Sequence, residues 1–357
     1  MKDVDIIVCG HLCLDLIPGM KGITANSVIM PGKLVETEPI TVSTGGAVSN
    51  TGLALHRLQA NVRLLALVGD DLISQLIVNF LRQRDEHLTE FIHIKPGEPA
   101  SYTIALSPEN ADRTFLHCTG TNRNFGVADI DFGLVERAKI FHLGYPPILP
   151  RLYGNDGQEL EAIYQQAKAT GVITSLDMSL PDANGAAGNA NWQVILQRTL
   201  PYVDIFLPSI DEIVFMLRRA DYDAWQGRTL AHLNRDYLAA LADELLAMGA
   251  GIVGFKLGEM GIYVKSDGRF APSAELWHPA YDVMVAGTTG AGDAAYAGFL
   301  AAWLRDLPLA DCLQWACAAG ACCVQAPDAT SGVRSWDETA QWLAQNPPLR
   351  VQKLAGF

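Results

Sequence analysis

The sequence contains no stretch approaching the roughly 18 consecutive apolar residues that a membrane-spanning helix needs. Its start, Met-Lys-Asp-Val-Asp-Ile-Ile-Val-Cys-Gly, enters an apolar run of only about five residues, too short for the core of a secretory signal. Basic residues are scarce as well: 26 Lys and Arg face 39 Asp and Glu, a formal net charge of −13. That balance argues against a nucleic-acid backbone or an anionic membrane surface as the main partner, because both reward clustered cations. It leaves nucleotides open, since a phosphate site needs little more than a local ring of N–H donors. Charged residues make up only 18% and apolar ones 49%, a composition that disfavours disorder and supplies a core. No internal repeat is visible.

The seven cysteines, Cys9, Cys13, Cys118, Cys312, Cys317, Cys322 and Cys323, are odd in number and sit in apolar surroundings. Neither Cys9-x3-Cys13 nor the Cys322–Cys323 pair has zinc-ligand spacing with a nearby His. Reduced, buried thiols in a cytoplasmic protein are the expectation.

Short apolar runs alternate with amphipathic stretches. Strands are expected at Val4–Cys9, Val62–Val68, Ile140–Leu143, Val172–Leu176, Val203–Leu207 and Gly251–Lys256. Helices are expected at Val48–Leu58, Leu72–Arg82, Gln158–Ala169, Trp192–Leu200, Asp211–Arg219 and Tyr237–Met248, and then from about Ala291 to Leu304 and about Leu309 to Val324. This alternation predicts an α/β fold with a mostly parallel sheet covered on both faces. Residues 12–44 and 96–124 interrupt it. They are too long for structureless loops and read as strands and turns that can pair into a small sheet.

The most informative stretch is Gly287-Thr288-Thr289-Gly290-Ala291-Gly292-Asp293, which opens an apolar helix. Glycines let successive N–H groups converge at a helix N-terminus, and such a nest binds anions. Asp293 beside it reads either as a helix cap or as a base that takes a proton from a hydroxyl attacking phosphorus. Gly290-x-Gly292-x-x-Ala295 also matches a relaxed dinucleotide fingerprint. That reading wants an acidic residue after a second strand, whereas Asp311 falls at a helix start.

At these residues the chain resembles the ribokinase-like, or PfkB, carbohydrate kinases, whose signature is Asp-Thr-Thr-Gly-Ala-Gly-Asp before a small-residue helix. Six of the seven positions agree. Three further segments match in family order: Gly45-Gly46-Ala47-Val48-Ser49-Asn50, Pro208-Ser209-Ile210-Asp211-Glu212 and Lys256-Leu257-Gly258-Glu259-Met260-Gly261. The resemblance implies a three-layer α/β sandwich forming one kinase domain, with the two insertions as a β lid over the substrate. It implies Asp293 as catalytic base, Gly290, Ala291 and Gly292 as anion hole, and Asp15, Gly45, Gly46 and Asn50 on the substrate. It places Lys256, Gly258, Gly261 and Ser209 along ATP, and Glu212 near Mg²⁺. It implies phosphorylation of a sugar or similar polyol, with a nucleoside kinase or a non-catalytic sensor on the same fold as alternatives. Pairing of lids in a homodimer also follows from it.

The departures are specific. Gly287 stands where the family has an Asp that helps hold a monovalent cation, so the likeness does not extend to that ion. Ser209 replaces Asn, and Lys256 replaces Thr or a small apolar residue. Pro181 replaces the Arg of an Asp-x-x-x-Arg strand end that begins here at Asp177. The Asn of the late helix has no counterpart near Cys317. Arg113 and Arg123 lie in the second insertion and read as surface ion-pair partners or as residues reaching over the site. His117 and His142 read as lid or core histidines, and Trp303, Trp315, Trp336 and Trp342 as packing.

Overall fold

The computed structural model describes residues 2–28, 30–109, 111, 114–347, 354, 356 and 357. Arg113 therefore lies outside the described residues. The strands are, in chain order, β1 (Val4–Gly10), β2 (Cys13–Gly19), β3 (Glu38–Gly45), β4 (Val62–Val68), β5 (Phe91–Ile94), β6 (Tyr102–Leu106), β7 (Thr114–Cys118), β8 (Ala138–Gly144), β9 (Ile173–Asp177), β10 (Ile205–Phe206), β11 (Ile252–Lys256), β12 (Ile262–Ser266) and β13 (Ala274–His278).

Nine of them form one sheet in the order β13-β12-β11-β10-β9-β8-β1-β4-β5. From β5 to β11 every pairing is parallel, with registers such as Ile6↔Ile140 and Ile6↔Val62. Only β12 and β13 run antiparallel. Along β1, Ile7 and Cys9 join one apolar cluster while Ile6 and Val8 join the other. Successive side chains of a strand point to opposite faces, so a sheet buried on both faces needs apolar residues at every position. Helices Gln158–Ala169, Trp192–Thr199, Ile210–Leu217 and Arg235–Ala247 cover the first face. Helices Gly46–Arg57, Leu72–Arg82, Ala291–Trp303 and Leu309–Cys323 cover the second. The result is the expected three layers.

The two insertions do pair. The small sheet has the order β3-β2-β6-β7. It joins β2 to β3 antiparallel, β2 to β6 parallel and β6 to β7 antiparallel. It draws β2 and β3 from the first insertion and β6 and β7 from the second.

Two expected elements differ. The helix anticipated over Asp211–Arg219 breaks at Arg218 (φ −136°, ψ 49°), and a second helix, Arg219–Trp225, follows. The strand anticipated over Val203–Leu207 keeps ladder pairing only at Ile205–Phe206. Trp315 stacks on Trp336 with ring centres 3.4 Å apart, a packing role. His142 is buried, its Nδ1 sharing a hydrogen bond with Ser175 Oγ (2.9 Å). His117 lies on β7 and Arg123 is exposed.

Candidate active site

The parallel strands deliver their polar residues to one edge. His11 follows β1, Tyr145 follows β8, Asp177 ends β9, Ser209 lies just beyond β10 and Lys256 ends β11. This is the carboxyl edge of the sheet, where open α/β folds place their ligands.

Asp293 occupies the first turn of the helix Ala291–Trp303 and is 3% exposed. Its described hydrogen bonds all come from other elements, unlike those of a helix cap. Asn50 Nδ2 (3.1 Å) and Tyr145 OH (2.6 Å) donate to Oδ2, and Thr51 Oγ1 donates to Oδ1 (3.2 Å). Asn50 and Thr51 project from the first turns of the helix Gly46–Arg57, which packs against the Asp293 helix. Three donors from two sides fix the carboxylate's orientation.

The turn before Asp293 depends on Gly290, whose φ of +76° puts it in the left-handed region. A Cβ there would sit 2.5 Å from Ala329 Cβ and 2.6 Å from Ala329 O. The first N–H groups of this helix have no intrahelical acceptor, which suits them to an anion. Ala291 N–H makes a 3.3 Å turn bond to Thr288 O, so its amide joins an anion site only by releasing that contact.

Lys256 extends beneath the same turn. A Cβ built on Gly292 would lie 3.6 Å from Lys256 Nζ. The ammonium donates to both oxygens of Asp177 at 2.6 and 2.7 Å and lies 5.5 Å from the Tyr296 ring centre. Both partners of the ion pair are buried. Burial opposes the charge on Lys256, but Asp177, then Glu212 and Asp293, outweigh it and hold the ammonium above the ordinary lysine value. The lysine is therefore charged at the edge of the Gly290–Gly292 turn, not snorkelling to solvent.

Glu212 is half-buried, and its carboxylate accepts from Ser209 N–H at 2.7 Å. Burial pushes it up to about 8, with Lys256 pulling the other way and Asp177 and Asp293 adding to the rise. The folded protein thus keeps a proton on Glu212 that the unfolded chain releases near pH 4.5. Stability from this residue must fall as pH rises between those values. Glu212→Gln is expected to flatten that decline, gaining on wild type from pH 5 to pH 9. Urea denaturation across this range checks it; parallel wild-type and mutant curves would contradict it.

Asp15 of β2 faces the end of β3. A Cβ on Gly45 would stand 2.1 Å from Asp15 Oδ2, so only glycine lets the backbone meet that carboxylate. Cys13 Sγ lies 3.3 Å from Asp15 Oδ1. Burial raises Asp15 to about 6 against hydrogen bonds from Cys13 and Thr103. Gly46, with φ +83°, begins the helix directly against His11, whose Nδ1 would be 2.5 Å from a Cβ there. Gly258 and Gly261 belong to the turn joining β11 to β12, closed by Leu257 N–H to Gly261 O at 2.8 Å, immediately after Lys256.

The structure thus brings Asp293, Asn50, Gly290–Gly292 and Lys256 together and places Ser209 and Glu212 beside Lys256 through the Ser209↔Lys256 bridge. Asp15 with Gly45 and Gly46 forms a neighbouring wall. The sequence reading missed Tyr145, Thr51 and His11. Tyr145 is a non-glycine residue at φ +69° after a strand, a conformation that no local motif announces.

Residues 4–336 match the model of the pfkB family carbohydrate kinases. A probable chloroplastic fructokinase of Arabidopsis thaliana is 25% identical over 85% of this chain and 71% of its own length. A 5-dehydro-2-deoxygluconokinase of Geobacillus kaustophilus is 22% identical over 97% of this chain and 95% of its own. Among solved structures, the Arabidopsis thaliana ribokinase complexed with ribose and ATP superposes with a TM-score of 0.75 at 18% identity, covering 95% of this chain and 98% of that one.

Proposed function

The chain belongs to the PfkB family of carbohydrate kinases, phosphotransferases that act on a sugar hydroxyl, and from that premise we propose that it transfers the γ-phosphoryl group of ATP to a sugar or related polyol with Asp293 as base. The observation that carries this reading is the Asp293 carboxylate, held by Asn50, Thr51 and Tyr145 at the mouth of the Gly290–Gly292 turn.

The acceptor hydroxyl gives its proton to Asp293 as its oxygen bonds to the γ-phosphorus and the bond to ADP breaks. The turn amides and Lys256 face the charge on the transferring group. Asp177 holds Lys256 in place between turns. Tyr145 OH shares Oδ2 with Asn50, and an incoming hydroxyl takes the position of the tyrosine proton. The small sheet closes over the acceptor and keeps water from the phosphoryl group.

Two carboxylates, Asp177 and Asp293, act on one ammonium, with the carboxyl of Glu212 beside them, an acidic setting that suits a divalent cation. Among the described residues no group of three His, Cys, Asp or Glu chelates a metal directly. Glu212 would hold Mg²⁺ through water, giving up the proton it otherwise keeps as the cation arrives with the nucleotide. The cation would neutralise phosphate charge. Gly287 supplies no carboxylate for a monovalent cation.

Two wider features accompany this reading. Ile40 on β3 and Phe115 and Leu116 on β7, the two edges of the small sheet, are 52%, 57% and 53% exposed, which favours pairing of lids between two copies. Seven free thiols favour a reducing compartment such as the cytoplasm.

A coupled assay of ADP release with MgATP against sugars, sugar phosphates and nucleosides tests the activity. Turnover with a sugar is the expected result. Turnover confined to nucleosides, or binding without turnover, would contradict it.

A further inference from the structure

One buried side chain at the substrate wall has no part in proton transfer. His11 is 2% exposed, yet neither ring nitrogen has a hydrogen-bond partner. Asn50, 5% exposed, donates its amide to Asp293 but leaves Oδ1 unpartnered. Buried polar atoms are nearly always satisfied, and leaving one unmade is costly. Such atoms persist where a ligand supplies the missing partner.

The position of His11 points to that ligand. Its ring lies 5.2 Å from the His117 ring on the lid strand β7 and 6.3 Å from the Tyr145 ring, whose hydroxyl holds Asp293. Gly46 abuts Nδ1 from below. The imidazole therefore stands between the lid and the base, on the acceptor side. His117 shares a 3.0 Å hydrogen bond with Thr103, which lies 3.7 Å from Cys13 Sγ, and Cys13 in turn lies 3.3 Å from Asp15 Oδ1.

Among the described residues the charge around His11 is one-sided. Among the described residues, no hydrogen bond, ion pair or ring contact of His11, Asp15, Thr103, His117 or Tyr145 involves a Lys or Arg. Among the described residues, the carboxylates Asp15 and Asp293 are the formal charges next to His11, and the Lys256 ammonium that acts on Asp293 is already paired with Asp177. Burial, and then His117, hold His11 well below the ordinary histidine value. A neutral imidazole offers one donor and one acceptor, the complement of a hydroxyl and a poor match for an anion.

Resting on the kinase reading above, we propose that His11, assisted by Asn50, is a specificity-determining residue for an uncharged acceptor. It hydrogen-bonds a hydroxyl other than the one phosphorylated, and a neutral imidazole standing between the carboxylates Asp15 and Asp293 turns away sugar acids and sugar phosphates. Likeness to relatives does not make this choice, since one is named for fructose and another for a dehydro-deoxygluconate.

The test compares wild type, His11→Asn and His11→Ala at saturating MgATP. The acceptors are uncharged aldoses and ketoses, each set beside its sugar acid and its phosphate ester. Acceptor binding is read in parallel by calorimetry with a non-hydrolysable ATP analogue. The uncharged acceptor is expected to exceed its charged analogues on the order of 100-fold in kcat/KM. His11→Ala should raise its KM about tenfold and leave kcat and the KM for ATP near wild type. His11→Asn, which keeps a donor and an acceptor, should restore part of the loss and carries the test if the alanine variant does not fold. A deoxy acceptor lacking the contacted hydroxyl should bind both wild type and His11→Ala equally weakly. Preference for a charged acceptor, or unchanged acceptor affinity in both variants, overturns the proposal while leaving the kinase reading intact. If no acceptor turns over, the kinase reading fails separately, and calorimetry still decides the role of His11: binding of an uncharged sugar weakened by His11→Ala upholds it, and unchanged or absent binding overturns it.

Discussion

Replacing Asp293 by Asn is expected to lower kcat on the order of 10²–10⁴-fold while the KM for ATP stays near wild type. Asn keeps the shape of the side chain and one acceptor oxygen, so the Asn50 and Thr51 helix retains a partner. What is lost is the proton acceptor at the mouth of the glycine turn. A structural role alone would behave differently. Asp293 is buried and bonded to two elements, so a purely structural defect would raise both KM values and lower thermal stability together. Steady-state kinetics with an accompanying melting curve separate the two. Undiminished kcat would remove Asp293 from the chemistry.

The second large effect concerns Lys256. Lys256→Met leaves Asp177 buried without its counter-charge and Glu212 beside it. Breaking a buried pair by removing one partner typically costs about 3–5 kcal/mol, so a marked loss of stability is expected. The sign of its pH dependence follows from the carboxylate left behind. Burial already raises Asp177, and Lys256 is the first group pulling it down. Without the lysine, Asp177 moves further up and binds a proton that the unfolded chain releases. The variant should therefore be least stable at alkaline pH and approach wild type as pH falls towards the unfolded carboxylate value. Adding Asp177→Leu should recover much of the stability, because apolar replacement of a whole buried pair is often neutral or better. It should not recover turnover, since no ammonium then faces the phosphoryl group. Lys256→Met with wild-type stability would show that the pair is dispensable to the fold. Full activity in the double variant would show that Lys256 does not touch the phosphoryl group.

These expectations rest on features that were unequally legible in the sequence. The strands of the parallel sheet were readable because both faces are buried: runs such as Val62–Val68 are apolar but for Arg63 and emerge with those bounds. Helices Leu72–Arg82 and Gln158–Ala169 were readable from their amphipathic period. The pair β12 and β13 was not, since an antiparallel edge has no helix between its strands and the strand–helix rhythm passes over it. The break at Arg218 was hidden because both flanking segments are helical in pattern.

At the site, Gly290 and Asp293 were legible because a glycine turn that opens a helix is a local device. Asn50 was legible only through its family segment. Tyr145 reaches Asp293 across 148 residues, and Lys256 meets Asp177 across 79. Such contacts are set by strand order, which brings the ends of β1, β8, β9, β10 and β11 to one edge in succession, and no spacing along the chain reports them. Lys256 looked ambiguous for the same reason: its charge is explained only by a carboxylate on another strand.

The central claim is that phosphorus moves from ATP to a sugar hydroxyl under the control of Asp293. The most direct measurement is ³¹P NMR of MgATP with the best acceptor, followed in time with wild type and Asp293→Asn. The account predicts a growing phosphomonoester resonance that matches ADP one for one with wild type, and almost none with the variant over the same period. Release of inorganic phosphate without a sugar phosphate, or an equal phosphomonoester signal from Asp293→Asn, would contradict it.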